Sequence, residues 1–228
     1  MDATLVSLLA ANIAFVGGHF ALSHPFRAPL VKKVGEAGFL GMYSLVSFAT
    51  FAWIILAFKA VGPGGAALWN GQSNSMWAIA SLLTIIALVL LTGSVKGNPA
   101  LPQTGADAVA KAEAQGVFAV TRHPMMWGIA VWAASHILVS PTPRTIIVAG
   151  AMAVLGLVGS HLQDRKKEAL IGASWQSWEA KTSYWPRLSG LGRISVGVWL
   201  SAIAGWLVIT WLHIWLAEVP AGVWRWVG

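Results

Sequence analysis

Two histidines in the stretch TRHPMMWGIAVWAASHILVSP, Thr121 to Pro141, set the first chemical question. The stretch reads as a membrane-crossing helix, yet it opens on Arg122, His123 and Pro124 and carries His136 13 positions after His123. Polar side chains are costly in hydrocarbon, so those that persist there are candidates for function, each weighed against a structural role. Neutral imidazole ligates iron, copper or zinc, and it exchanges protons near neutral pH. On an ideal helix the spacing of these two turns their rings about 140° apart. They cannot serve one site from one face. His136 lines up with Gly128 and Trp132, whereas His123 sits with Arg122 at the helix entrance, where Pro124 suits a first turn. There Arg122 and His123 either bind an anionic group or anchor the helix among lipid phosphates.

Further imidazoles extend the set. Asn12, Phe15 and His19 share a helical face beside Gly17 and Gly18, which leaves room for something flat or bulky. The structural alternative is a hydrogen bond from His19 to a neighbouring helix. His161 and Asp164 stand at i, i+3 and can meet on one face. His24 and His213 fall near segment ends and read as interfacial residues. The absence of Cys excludes thiolate catalysis, iron–sulfur ligation and disulfides. No Ser-His-Asp order, HExxH helix, phosphate-binding loop or pair of carboxylates within a membrane segment is present.

The elements that must position these residues follow from hydropathy. With 57% hydrophobic and 10% charged residues, the chain falls well outside the soluble globular class. The expected fold is all-α: one integral membrane domain over 1–228 with about six transmembrane helices, near 4–22, 38–58, 76–92, 124–140, 145–162 and 194–217. The start of the chain lacks the basic region of a signal peptide, so the first apolar segment is expected to be retained. Of the fifteen Lys and Arg, only Lys59, Arg144 and Arg225 lie outside the three odd-numbered loops. The positive-inside rule then places both termini outside the cytoplasm. The net charge of +7 is accounted for by loops facing anionic lipid, and no nucleic-acid partner is expected. Most of the fourteen Trp, including Trp69, Trp77, Trp175, Trp178, Trp185 and Trp215, are expected at the two membrane surfaces. The stretch following span five, as far as Trp178, reads as an amphipathic helix lying among headgroups. Ala149, Ala153, Gly156 and Ser160 form a small-residue seam for close helix packing.

The runs GGHFALSHPFR, GEAGFLGMYSLVSFATFAWI, GVFAVTRHPMMWGIAVWAASHILVS and DRKKEALIGASWQSWEAKTSYWP resemble the NnrU family and its relative, plant 15-cis-zeta-carotene isomerase. The resemblance runs from about Ala11 to Pro186. It implies a link to nitrite and nitric oxide metabolism, or a haem b enzyme acting as a cis–trans isomerase of polyenes. Carried over, the haem iron ligands fall on His19 and on His136 of WAASH. The cysteine of the isomerase's Trp-Cys-x-x-His run is Ala133 here, so ligand exchange between Cys and His has no counterpart. A depth count opposes the pairing, because His19 ends an inward span and His136 an outward one, roughly 15 Å apart. By that count His123 and His161 are the alternative ligands, in one layer with His19.

A fainter similarity joins RHPMMWG and the later Trp-rich helix to isoprenylcysteine carboxyl methyltransferases, where such a segment binds S-adenosylmethionine. QDRKK stands where that family has tandem glutamates. The readings carried forward are therefore a haem-dependent isomerase or nitrogen-oxide protein, a methyltransferase-like protein, and a non-catalytic assembly factor for a respiratory reductase. Arg122, His123 and Asp164 form the candidate interface or substrate site.

Overall fold

The computed structural model describes residues 2–101 and 105–227. Its helices, in chain order, are α1 (Ala3–Ser23), α2 (Arg27–Ala60), α3 (Asn74–Gly93), α4 (Ala106–Lys111), α5 (Pro124–Val139), α6 (Pro143–Ile171), α7 (Ala173–Lys181), α8 (Val196–Leu216) and α9 (Trp224–Val227). No strand occurs among the described residues. Five helices are long and apolar enough to cross a membrane, and α5 is a shorter apolar one. The chain is a multi-pass helical membrane protein.

Local chemistry sets where these helices begin and end. The Ser73 hydroxyl accepts the Met76 N–H at 3.3 Å to cap α3, and the Thr142 hydroxyl does the same for Thr145 at the start of α6. Pro124 and Pro143 occupy first-turn positions, where a missing N–H costs nothing. Gly35, at φ 75° and ψ 168°, breaks α2 into a short basic piece and the membrane span. Thus residues 27–34, expected as loop, are helical, and Arg27 reaches back across the break to Glu36 at 2.6 Å.

The long helices pack in the order α2, α1, α6, α5, α3, α8. α5 lies between α3 and α6, and two glycines allow it to come close to both. A Cβ on Gly128 would stand 2.9 Å from the Ala87 carbonyl of α3, and one on Gly156 of α6 would stand 2.7 Å from the Met126 carbonyl of α5. The expected seam is therefore a real contact, with Ala149, Gly156 and Ser160 buried. At 16 residues α5 is about 24 Å long, short of the roughly 30 Å hydrocarbon core. Non-helical backbone at such depth is tolerated where protein surrounds it. Here the residues before α5 are paired: the Arg122 N–H donates to the Ser183 carbonyl and the Arg187 N–H to the Val120 carbonyl, both at 2.8 Å.

The two ends of the bundle differ. At one end the α2–α3 connection, the α5–α6 turn and the C-terminal segment meet, through Trp69 Nε1 to the Leu138 carbonyl, Gln72 Nε2 to the Val139 carbonyl and Arg225 to the Gln72 carbonyl. Arg144 lies over the Phe58 ring at 4.2 Å there and donates to the Gly62 carbonyl. The opposite end gathers the basic loops. Its packing corrects two expectations. Trp175 and Trp178 are 0% and 2% exposed, in a core with Phe118, Val89 and Leu90, so they form no part of a surface belt. The segment read as a headgroup helix is instead the extension of α6 followed by α7, turned at Gly172 and packed on α4. Trp77 is likewise buried, beneath the Arg225 guanidinium at 4.6 Å. Trp185 and Trp215 remain exposed, as expected of interfacial residues.

The α5–α6 contact makes a direct prediction. Gly156→Ala forces its methyl against the Met126 carbonyl and should cost about 1–3 kcal/mol, lowering the melting temperature of detergent-purified protein. Gly150→Ala, whose Cβ meets nothing within 4 Å, should leave it unchanged. Equal melting temperatures for the two variants would show that the close approach carries no energy.

Candidate functional site

At the basic end, the entrance of α5 meets the extension of α6. Arg122 grips Asp164 with two nitrogens: Nε lies 3.1 Å from each carboxylate oxygen and Nη2 lies 2.7 Å from Oδ2. His123 Nε2 donates to Asp164 Oδ1 at 2.7 Å. Glu179 of α7 approaches Arg122 Nη2 at 3.3 Å, and the Tyr184 ring lies 5.3 Å beneath the guanidinium. Tyr184 is itself fixed, since its hydroxyl donates to the Leu157 carbonyl at 3.0 Å and its carbonyl accepts from Thr121 and Trp127. The cluster is largely shielded from solvent: the His123 side chain is 0% exposed, Asp164 10% and Arg122 13%.

The proton count on His123 follows from its partner. A carboxylate only accepts, so Nε2 carries the hydrogen and, in the neutral ring, Nδ1 presents a lone pair. That Nδ1 is buried and has no hydrogen-bond partner among the described residues. Beside it is a cavity just large enough for one water-sized ligand, lined by Asn98, Leu101, Met125, Met126 and Gln163. An imidazole whose far nitrogen is anchored to a carboxylate is arranged either as a proton acceptor or as a metal ligand. Arg122 adds little attraction for an anion, because Asp164 and Glu179 already face it. This counts against Arg122 as an anion-binding residue.

The other expected site residues lie elsewhere. His161 is exposed and makes no bond to Asp164, whose oxygens are taken by Arg122 and His123. His24 is half-buried near Lys166, and burial together with that charge holds its imidazole below the usual range. His19 donates Nδ1–H to the Phe15 carbonyl at 2.7 Å and has its Nε2 3.5 Å from the Ser47 hydroxyl of α2. The Phe15 and Tyr43 rings lie 4.3 and 5.3 Å from its ring, Val46 lies beside Gly18, and a Cβ on Gly17 would meet nothing within 4 Å. His136 donates Nδ1–H to the Trp132 carbonyl at 2.9 Å, and its ring lies 6.5 Å from that of His213.

Haem b held between His19 and His136 would need both rings at one depth. Phe20 packs against α6 at Gly159, and Met126 of α5 packs against α6 at Gly156, so His19 is level with the start of α5. His136 is ten residues beyond Met126, roughly 15 Å further along. α6 also stands between α1 and α5. The residues present do not fit one iron shared by this pair.

Glu179, Tyr184 and Gln163 were not singled out by the sequence reading, although they complete the cluster. Tyr184 carried a weak signal as one of only two tyrosines, placed just before the Trp-Pro that follows a helix. No curated protein and no solved structure matches the chain significantly. The family match does, described as NnrU protein and spanning residues 7–221, and the chain with this buried Arg-His-Asp centre belongs to the NnrU family.

Proposed function

We propose that this NnrU-family protein serves nitrite and nitric oxide metabolism from the bacterial inner membrane, binding a small hydrogen-bond-donating molecule at His123. The observation that carries the reading is the unpartnered, buried Nδ1 of His123 behind which Asp164 holds Nε2–H. In this arrangement Nδ1 accepts a proton from the ligand while Asp164 stabilises the imidazolium that forms, and Arg122 keeps the carboxylate oriented. The cavity admits a ligand of water-like size and has no length for a polyene, which favours the nitrogen-oxide branch over isomerisation.

In a denitrifying host deleted for its own family member, the chain should restore nitrite consumption without accumulation of nitric oxide. His123→Ala should fall to the level of the empty vector, whereas His161→Ala, outside the cluster, should behave as wild type. A His123→Ala protein that accumulates normally in the membrane and supports wild-type rates would overturn the reading.

The same reading places the basic end, and with it the His123 cavity, on the cytoplasmic side. Because the chain has no Cys, single cysteines report sidedness cleanly. An impermeant maleimide added to spheroplasts should label Leu68→Cys, 70% exposed at the terminal end, and should miss Leu188→Cys, 77% exposed at the basic end. The reverse pattern contradicts the orientation.

A further inference from the structure

At the basic end α1 and α6 run side by side in the same direction, in contact where Phe20 meets Gly159. His24 follows Phe20 by four positions and Lys166 follows Gly159 by seven, so each returns to the face that its helix turns toward the other. Both lie just past the apolar runs 4–22 and 145–162, at the level of lipid headgroups. Arg27, at the start of α2, adds a third cation within electrostatic reach of Lys166. The carboxylates nearby are engaged elsewhere. Glu36 takes Arg27 at 2.6 Å, Glu168 faces Arg165 at 3.6 Å, and Asp164 is held by Arg122 and His123. Lys166 is half-buried and forms no ion pair among the described residues. Lys167, buried beside it, meets the neutral Leu101 carbonyl at 3.3 Å. Burial and the Arg27 charge both disfavour the Lys166 ammonium, and burial with the Lys166 charge does the same to a charged His24. An uncompensated group of cations of this kind is costly as it stands, and an anion relieves it.

We propose that His24, Arg27 and Lys166 form a site for the phosphate of an anionic phospholipid. The surroundings identify a lipid as the source of the phosphate. Phe26 and Val34, at the two ends of the helical stretch 27–34, are 54% and 46% exposed, and Lys32 and Lys33 are exposed beside Val34. Apolar side chains next to cations suit a headgroup with its acyl chains and give nothing to a free ion in water. A zwitterionic lipid brings its own ammonium, which Lys166 and Arg27 oppose. A lipid of net negative charge does not. The site also differs from the diffuse attraction of exposed basic loops, because a poorly hydrated Lys166 gains more from one placed phosphate than a fully solvated lysine does. The interfacial helix expected after span five is on this reading supplied by 27–34, which Gly35 separates from the span of α2. The inference does not rest on the His123 reading, since none of these three residues lines that cavity.

The test uses the full chain purified in detergent, followed by native mass spectrometry during titration with phosphatidylglycerol, phosphatidylcholine or inorganic phosphate. Wild type should retain one phosphatidylglycerol in preference to phosphatidylcholine, and inorganic phosphate at equal concentration should not displace it. Lys166→Gln should weaken phosphatidylglycerol binding by more than the roughly fivefold that loss of one exposed cation near a membrane surface costs. Lys166→Arg should restore it. His24→Gln should weaken binding as a second, independent variant, whereas Lys32→Gln should lose no more than that fivefold and Lys59→Gln, at the opposite end of α2, nothing. Because Lys166→Gln removes a half-buried charge without an ion-pair partner, its melting temperature in the absence of lipid should match or exceed that of wild type, which separates a lost site from a lost fold. The inference is overturned if Lys166→Gln or His24→Gln binds phosphatidylglycerol as wild type does, or if Lys32→Gln loses as much as Lys166→Gln. Equal retention of the two lipids, or displacement of phosphatidylglycerol by inorganic phosphate, would overturn it as well.

Discussion

The basic end of the molecule depends on one ion pair. Arg122 and Asp164 come from segments 42 positions apart, and between them they tie the entrance of α5 to the extension of α6. Removing two charges from water is costly, and a buried pair recovers that cost only with good geometry and further hydrogen bonds. Here the guanidinium meets the carboxylate with two nitrogens, His123 takes part of the remaining carboxylate capacity, and Tyr184 covers the exposed face of the cation. The segment from Val120 to Arg122 is then held to 183–187 by two backbone hydrogen bonds, Arg122 N–H to the Ser183 carbonyl and Arg187 N–H to the Val120 carbonyl.

Function follows from what this pair leaves over. Asp164 has two oxygens for three donors, and its grip on His123 Nε2 is what turns Nδ1 toward the small cavity. Without the carboxylate, the ring could turn and either nitrogen could carry the proton. The two ends of the bundle are therefore chemically distinct: one holds a carboxylate-backed imidazole next to a water-sized cavity, the other two imidazoles each tied through Nδ1 to a carbonyl of its own helix. α5 carries a histidine to each end, which answers why one short helix retains two.

Much of this architecture was legible before any coordinates. Hydropathy windows picked out the apolar runs inside five long helices and the shorter α5, since a membrane demands such runs, but they did not show the helical residues 27–34 of α2 or the extension of α6 to Ile171. The seam at Gly156 was legible because small residues at helical spacing have few other uses in lipid. Partners distant in sequence were not. Helical periodicity says that His161 and Asp164 share a face, but only the fold shows that Asp164 turns to Arg122 and His123 while His161 stays exposed. The same gap explains Trp175 and Trp178: their spacing suited an interfacial helix, and only the fold of α7 onto α4 made them core. Resemblance carried over His19 and His136 as a pair, and depth along α6 separates them.

The central claim is that Arg122 and Asp164 are coupled to each other through a buried contact. The most direct measurement is a double-mutant cycle on unfolding in detergent, with Asp164→Leu, Arg122→Met and the double variant. Each single change should cost about 3–5 kcal/mol, because it strands a buried charge. The double variant should recover most of that loss, giving a coupling energy of several kcal/mol. Losses that simply add, with the double variant as unstable as the sum of the singles, would contradict the account.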